Sequence, residues 1–138
     1  MYNMEINKEF LENLLVKAKE NPRLRQNFDL RTSSADTSQR MLNALQPQTE
    51  VPIHRHEKTS ETVICLVGKL EEIIYEEVNE YVHEATSCCD DVIRQKSFKE
   101  VSRQILSPVE GKFGIQIPAG VWLSLIHISE PTRLLSIS

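Results

Sequence analysis

The feature that most constrains the fold is a succession of short apolar or alternating runs, which begins at residue 40 and is punctuated by glycine and proline. Runs of this length, about ten residues apart, are typical of the strands of a β-sandwich or barrel. The predicted strands span 40–47, 50–56, 61–68, 69–77, 97–106 and 112–120. The segment 78–96, VNEYVHEATSCCDDVIRQK, fits either a helix or a long loop between strands. We therefore expect a mainly β fold.

A helix is predicted ahead of the strands, over residues 7–20. Asn7 can act as its N-cap, because its side-chain oxygen can accept from an unpaired N–H of the first turn. Pro22 disfavours helical geometry at Asn21 and so ends the helix. The apolar residues of the segment recur at helical spacing on one face, which we interpret as core, and they are Phe10, Leu11, Leu14, Leu15 and Ala18.

Length, charge and cysteine content limit the classes of function. The 138 residues are enough for one domain with a modest core. The net charge of −4 argues against a nucleic-acid-binding surface, and no apolar run approaches the roughly 18 residues of a membrane span. The N-terminus lacks a signal-peptide pattern, and Cys65, Cys88 and Cys89 form no obvious disulfide framework. We expect a cytoplasmic protein without nucleic-acid or membrane partners.

Some reactive or charged side chains have simple structural interpretations. Cys65 lies in the apolar run VICLV and is expected in the core. Cys88 and Cys89 could bind a soft metal, but an adjacent pair with one nearby histidine, His83, is a weak signal. The glutamates of the run KLEEIIYEE are expected on a solvated face, and they are Glu71, Glu72, Glu76 and Glu77.

The segment between the helix and the first predicted strand, 21–40, is polar, turn-rich and dense in arginine. Its arginines are Arg23, Arg25, Arg31 and Arg40. Such a cluster could bind an anionic ligand through paired guanidinium hydrogen bonds. The alternative, which the sequence alone favours, is a solvated surface arm.

The candidate site lies in VPIHRHEKTSETV, residues 51–63. His54 and His56 are two residues apart, so on a strand both rings lie on the same face and Arg55 lies on the other. Glu61 opens the next predicted strand, and a hairpin between these strands could bring its carboxylate beside the rings. Two histidines and a carboxylate suit a divalent metal with open coordination positions, such as iron, zinc, nickel or manganese.

These residues form part of a longer pattern. His54, His56, Glu61 and Gly68 fit HxHx4Ex6G, which resembles the first motif of the cupin superfamily, a group of small jelly-roll β-barrels. The resemblance implies a cupin jelly-roll barrel after the N-terminal helix. It also implies a divalent metal ion inside the barrel, with His54, His56 and Glu61 as ligands.

The second cupin motif, PxGxxH, is matched only in part. Pro118 and Gly120 are present, but Leu123 stands where the resemblance places the fourth ligand, a histidine. The sequence from Leu123, LSLIHISEPTR, resembles the translation of a transposase-type sequencing adapter. We therefore predict a cupin domain over 1–122 that lacks its final strands, followed by an artefactual tail over 123–138. His127 lies about 13 Å along a strand from position 123, so we expect it to stay outside the site.

The resemblance is closer to one branch of the superfamily. The runs PRLRQNFDLRT, QRMLNALQP, PIHRHEKTSETV and IPAGVW, between residues 22 and 122, resemble the WbuC-type cupin-fold metalloproteins. Members of that group are often associated with O-antigen or other surface-polysaccharide gene clusters, and hence with lipopolysaccharide biosynthesis. This implies an anionic sugar or nucleotide-sugar as ligand, with Arg23, Arg25 or Arg40 holding its phosphate or carboxylate. A homodimer is also implied, because small cupins often pair through their sheets.

The resemblance supplies no reaction, so catalytic residues stay unassigned and other functions remain open. A non-catalytic sugar-binding or regulatory cupin module would use the metal as a structural or sensing element, and the fold does not discriminate between these roles. The ligand set also suits an Fe(II)-dependent dioxygenase. Exchangeable water on the metal with turnover of a nucleotide-sugar would favour an enzyme, and iron-dependent oxygen uptake would favour the dioxygenase.

Overall fold

The computed structural model describes residues 4–85 and 90–138, and it places the side chains of all of these except 81–85 and 90–94. One helix precedes the strands. The elements are α1 Lys8–Glu20, β1 Arg25–Asp29, β2 Arg40–Leu45, β3 Val51–Arg55, β4 Glu61–Ala85, β5 Asp90–Leu106, a 3-10 turn at Pro108–Glu110, β6 Gly114–Ile117 and β7 Trp122–Ile137. In this described part of the chain, no helix is long and apolar enough to cross a membrane.

The strands form one antiparallel sheet with the order β1-β2-β7-β4-β5, while β3 pairs with β7 and β6 pairs with β4. The prediction of a mainly β fold after an N-terminal helix is therefore confirmed. β7 is central, since it pairs with β2, β3 and β4. The main core lies between these strands, and its buried members are Leu45, Val63, Cys65, Leu70, Leu106, Leu125, Ile128 and Leu134.

The helix begins and ends as its sequence predicts. The side chain of Asn7 accepts a hydrogen bond of 2.9 Å from the Phe10 N–H, which satisfies one of the unpaired donors of the first turn. The cap at the other end is Asn21, which has extended backbone geometry before Pro22. The apolar face packs on β2, in a second cluster of buried residues made of Leu11, Leu14, Ala18, Leu42 and Ala44.

Two segments differ from their predicted structure. The polar segment 21–40 contains β1, whose Phe28 pairs with Leu42 and packs edge-on against Phe10 at 5.1 Å between ring centroids. The segment 78–96 is neither helix nor loop where it is described, because β4 continues to Ala85 and β5 begins at Asp90. β1 forms because β2 supplies its backbone hydrogen bonds, and the extensions of β4 and β5 form because these two strands pair with each other. Cys88 and Cys89 lie outside the described residues.

The predicted strands 61–68 and 69–77 form a single strand, β4, with Gly68 inside it. Gly68 has a φ of +112°, and an added Cβ would lie 2.7 Å from the carbonyl oxygen of Pro131 on β7. The register between β4 and β7 shifts on either side of this close approach. Glycine therefore lets the strand bend without breaking it.

Residues 123–138 belong almost entirely to β7. Their apolar side chains at Leu123, Leu125, Ile128 and Leu134 are buried. The adapter origin of this segment stays a prediction, since strand formation follows from its alternating pattern whatever its source.

Cys65 is 2 % exposed in the core, as predicted.

Candidate functional site

A cavity of about 420 Å³ opens between β1, the end of β3, the start of β4 and β7. His54, His56 and Glu61 line it together with Arg23 and Arg25. The remaining wall is mixed: it has apolar side chains such as Val63, Leu123 and Leu125 and polar ones such as Asn27, Asn43 and Ser136. The chain thus brings the three predicted metal ligands and two of the three predicted anion-binding arginines to one cavity.

The two histidine rings are neighbours on the cavity side of the chain. Their centroids are 5.4 Å apart and their planes are nearly perpendicular, at 85°. His54 Nδ1 donates to the carbonyl oxygen of Pro52 at 2.8 Å. Because a carbonyl oxygen only accepts, Nδ1 carries the proton, and Nε2 of the neutral ring keeps the lone pair that a metal requires. Arg55 takes a different direction, and its guanidinium lies 4.7 Å from the Trp122 ring centroid.

The carboxylate of Glu61 faces His56. Its Oε2 atom contacts His56 Nε2 and has no other partner among the described residues, although Glu61 is only 9 % exposed. The two residues meet across the connection between β3 and β4. The predicted hairpin between those strands is wrong, because β3 pairs with β7 and β4 pairs with β5, β6 and β7.

The donor chemistry of this cavity fits a divalent metal ion, since imidazole nitrogen and carboxylate oxygen bind such ions. The described residues do not, however, contain a group of three or more His, Cys, Asp or Glu side chains gathered closely enough to hold one. His56 and Glu61 face each other instead of converging with His54 on a common point. The ligand set therefore stays a prediction.

Position 123 lies directly beside the first histidine. Leu123 is the cross-strand partner of His54 and is 1 % exposed. Side chains of paired residues share a face, with Cβ atoms about 5 Å apart. His127 is elsewhere, as predicted: its ring is 63 % exposed, and its Nδ1 atom lies 2.5 Å from Glu71 Oε2.

The third arginine is separated from the other two. Arg40 lines a second cavity of about 140 Å³, together with Arg31 and Asp29, and its Nη2 donates to Asp36 at 2.8 Å. The two cavities share His56, Glu61, Met41 and Ser136 as lining residues. Arg40 lines only the second cavity, whereas Arg23 and Arg25 line only the first.

One buried carboxyl was missed by the sequence prediction. Glu72 was expected on a solvated face, but it is 0 % exposed, and neither carboxyl oxygen has a hydrogen-bond partner among the described residues. Burial raises the pKa of Glu72 from 4.5 to about 8, and the charge of Glu61 adds to the effect. The spacing of two between Leu70 and Glu72 was the available signal, since alternate residues of a strand share a face.

The fold is of the cupin type, and the likeness to solved structures concerns the fold alone. TT1209 from Thermus thermophilus is 20 % identical with a TM-score of 0.56, and the alignment covers 98 % of this chain and 97 % of that one. KdgF from Halomonas sp. is 10 % identical with a TM-score of 0.52, over 85 % and 80 %. A cupin-2 domain, Rru_A2000 from Rhodospirillum rubrum, is 12 % identical with a TM-score of 0.49, over 82 % and 57 %.

The sequence itself identifies the family. Residues 6–86 match a family described as a domain of unknown function, DUF6016, and the chain belongs to this family. The matched segment includes the helix, His54, His56, Glu61 and Glu72. No curated protein matches the sequence.

Proposed function

We propose that the protein is a metal-binding cupin of the WbuC type that holds an anionic sugar or nucleotide-sugar in surface-polysaccharide metabolism. The observation that carries this proposal is the single cavity lined by His54, His56, Glu61, Arg23 and Arg25. Its volume of about 420 Å³ is in the range of small-molecule sites. The cytoplasmic location and the homodimer implied by the resemblance belong to the same proposal.

The metal would be held by the free Nε2 of His54, by His56 and by Glu61. A cation would replace the direct contact between His56 and Glu61 and would satisfy the buried Oε2 atom. His54 Nδ1 keeps its proton and donates it to the Pro52 carbonyl oxygen, so the ring is already oriented for ligation. Such an ion, when bound, polarises a carbonyl or phosphoryl oxygen of a bound ligand.

The arginines would select the ligand by charge. Arg23 and Arg25 line the cavity at its β1 side, where planar guanidinium groups can pair with a phosphate or carboxylate. Arg40 is the weaker candidate of the three, because it is already paired with Asp36 and lines the second cavity.

We also propose that the natural protein carries histidine at position 123, and that residues 123–138 derive from an adapter. The pairing of Leu123 with His54 supports this, because a histidine there would reach the same metal ion. β7 would then supply the fourth metal ligand, from the position paired with His54 on β3.

The metal proposal is tested by titrating the metal-free protein with Zn²⁺ in a calorimeter. His54→Ala and Glu61→Gln should each lower the affinity for Zn²⁺ by at least about tenfold. His127→Ala is the matched control, since it removes an imidazole that lies away from the cavity, and it should bind Zn²⁺ like the wild type. Equal Zn²⁺ affinity in His54→Ala and the wild type contradicts the proposal.

The anion proposal has its own test with inorganic phosphate as the probe. Arg25→Ala should weaken phosphate binding to the Zn²⁺-loaded protein several-fold, because one charged hydrogen-bond donor is lost. Arg103→Ala is the control, as Arg103 is paired with Glu71 and Glu100 on the outer surface. Equal weakening in both variants would mean that only net charge matters.

A further inference from the structure

Two asparagine side chains form an amide pair on the wall of the larger cavity. Asn27 on β1 and Asn43 on β2 are cross-strand partners, and both line the cavity of about 420 Å³. The opposite face of β1 meets the helix, where Phe28 packs against Phe10. Because successive residues of a strand point to opposite faces and paired residues share one, the two amides project together into the cavity, with Cβ atoms about 5 Å apart.

The protein leaves most hydrogen-bonding groups of the amide pair unused. Within residues 4–85 and 90–138, the side-chain amide of Asn27 has no hydrogen-bond partner, since the bond from Gln26 Nε2 goes to the backbone carbonyl of Asn27. Asn43 Nδ2 donates to Ser136 Oγ at 3.5 Å, which is longer than an ordinary hydrogen bond. A carboxamide has two donor protons and an acceptor oxygen, so both side chains keep free capacity at the cavity surface.

Packing alone would favour an apolar residue at the Asn43 position. Met41 and Leu45, two residues before and after it on β2, line the same cavity. A half-buried amide between apolar neighbours loses hydration without gaining a full set of hydrogen bonds. Such groups are found where a ligand or an ordered water molecule completes the bonds, which makes the amide pair a candidate ligand contact.

We propose that Asn27 and Asn43 determine ligand specificity in the cavity by binding neighbouring hydroxyl groups of a polyhydroxylated anion. This inference rests on the proposed function, since the anionic group of the same ligand meets Arg25. Arg25 lies two residues from Asn27 on the same face of β1, about 7 Å away. Each carboxamide can donate to a hydroxyl oxygen and accept from a hydroxyl proton. The arginine then recognises the charge of the ligand, and the amide pair recognises its hydroxyl groups.

The test uses two probes in calorimetry in the presence of Zn²⁺. Glucuronate and cyclohexanecarboxylate both carry a carboxylate on a six-membered ring, but only glucuronate carries hydroxyl groups. The wild type should bind glucuronate about tenfold more tightly, because two hydrogen bonds are added. Asn27→Ala and Asn43→Ala should each weaken glucuronate binding about fivefold and leave cyclohexanecarboxylate binding unchanged.

The matched control is Gln116→Ala, which removes an exposed carboxamide from β6, outside the lining of this cavity. It should bind both probes like the wild type. Asn27 is exposed at the cavity surface, so Asn27→Ala removes no core packing. A measurement on the wild type covers the case in which Asn43→Ala does not fold. The side-chain amide NMR signals of Asn27 and Asn43 should shift when glucuronate binds and shift much less with cyclohexanecarboxylate.

Four results overturn the inference: equal affinity of the wild type for the two probes, unchanged glucuronate affinity in either folded variant, equal loss for both probes, or unshifted amide signals. If the wild type binds Zn²⁺ and phosphate but does not prefer glucuronate, this inference fails while the metal and anion parts of the proposed function stand. Absence of Zn²⁺ or phosphate binding contradicts the proposed function itself, and the preference between the two probes still decides the role of the amide pair.

Discussion

The burial of Glu72 predicts an unusual dependence of stability on pH. The pKa of this carboxyl is raised to about 8 in the folded protein, from 4.5 in an exposed glutamate. The folded state therefore holds a proton between these values that the unfolded state has lost. Stability falls as pH rises through this window, by about 1.4 kcal/mol per pH unit. Below pH 4.5 both states are protonated, and above pH 8 both are ionised, so the effect levels off at each end.

Replacing Glu72 by Gln removes this titration and keeps the shape of the side chain. Between pH 5 and pH 7.5 the Glu72 contribution to the free energy of unfolding should fall by about 3 kcal/mol, which follows from the two pKa values. The stability of Glu72→Gln relative to the wild type should therefore rise by that amount over this range.

The assay is urea unfolding of both proteins at half-unit pH steps from 4 to 9, followed by circular dichroism. The difference between the two free energies of unfolding should be small at pH 5, rise steadily to pH 8 and then become constant. A difference that does not change with pH refutes the reasoning, because it would mean that Glu72 is solvated or paired in the folded protein.

Three further changes have defined outcomes. Leu123→His should raise the affinity for Zn²⁺ by at least about tenfold in calorimetry, because it adds an imidazole beside His54; unchanged affinity would exclude position 123 from the site. Gly68→Ala should lower the free energy of unfolding by at least about 2 kcal/mol through left-handed strain and the clash with β7. The control Gly111→Ala has the strain without the clash and should lose less, so equal losses would contradict the packing argument. Asn7→Ala should cost about 1 kcal/mol in urea unfolding through the lost cap, and no loss would mean that the cap is replaced by water.

The helix and the position of His54, His56 and Glu61 along one cavity were predictable because both depend on short-range patterns. The apolar stripe, Asn7 and Pro22 act within a few residues of one another. Likewise, the alternation of a strand places His54 and His56 on one side, and the short connection to Glu61 limits how far that carboxylate can lie. Interactions between residues close in the sequence were therefore sufficient for both predictions.

The missed features depend on partners that are distant in the sequence. β1 has one apolar residue, Phe28, and exists because β2 pairs with it. The extension of β4 and β5 has the same cause, since each supplies the hydrogen bonds of the other. In the sequence Glu72 is one of several glutamates, with its spacing of two from Leu70 as the one local signal, and its burial follows from the pairing of β4 with β7 and β5. Long-range pairing of this kind leaves little trace in a single sequence.

The central claim, that metal binds at the histidine cavity, is tested most directly by X-ray absorption at the zinc edge of the Zn²⁺-loaded protein. The account predicts a shell of nitrogen and oxygen atoms at about 2.0–2.1 Å, with the multiple-scattering signature of two imidazole rings that disappears in His54→Ala/His56→Ala. A shell containing sulfur at about 2.3 Å would assign the metal to the cysteines, such as the adjacent pair Cys88 and Cys89, and would contradict the claim.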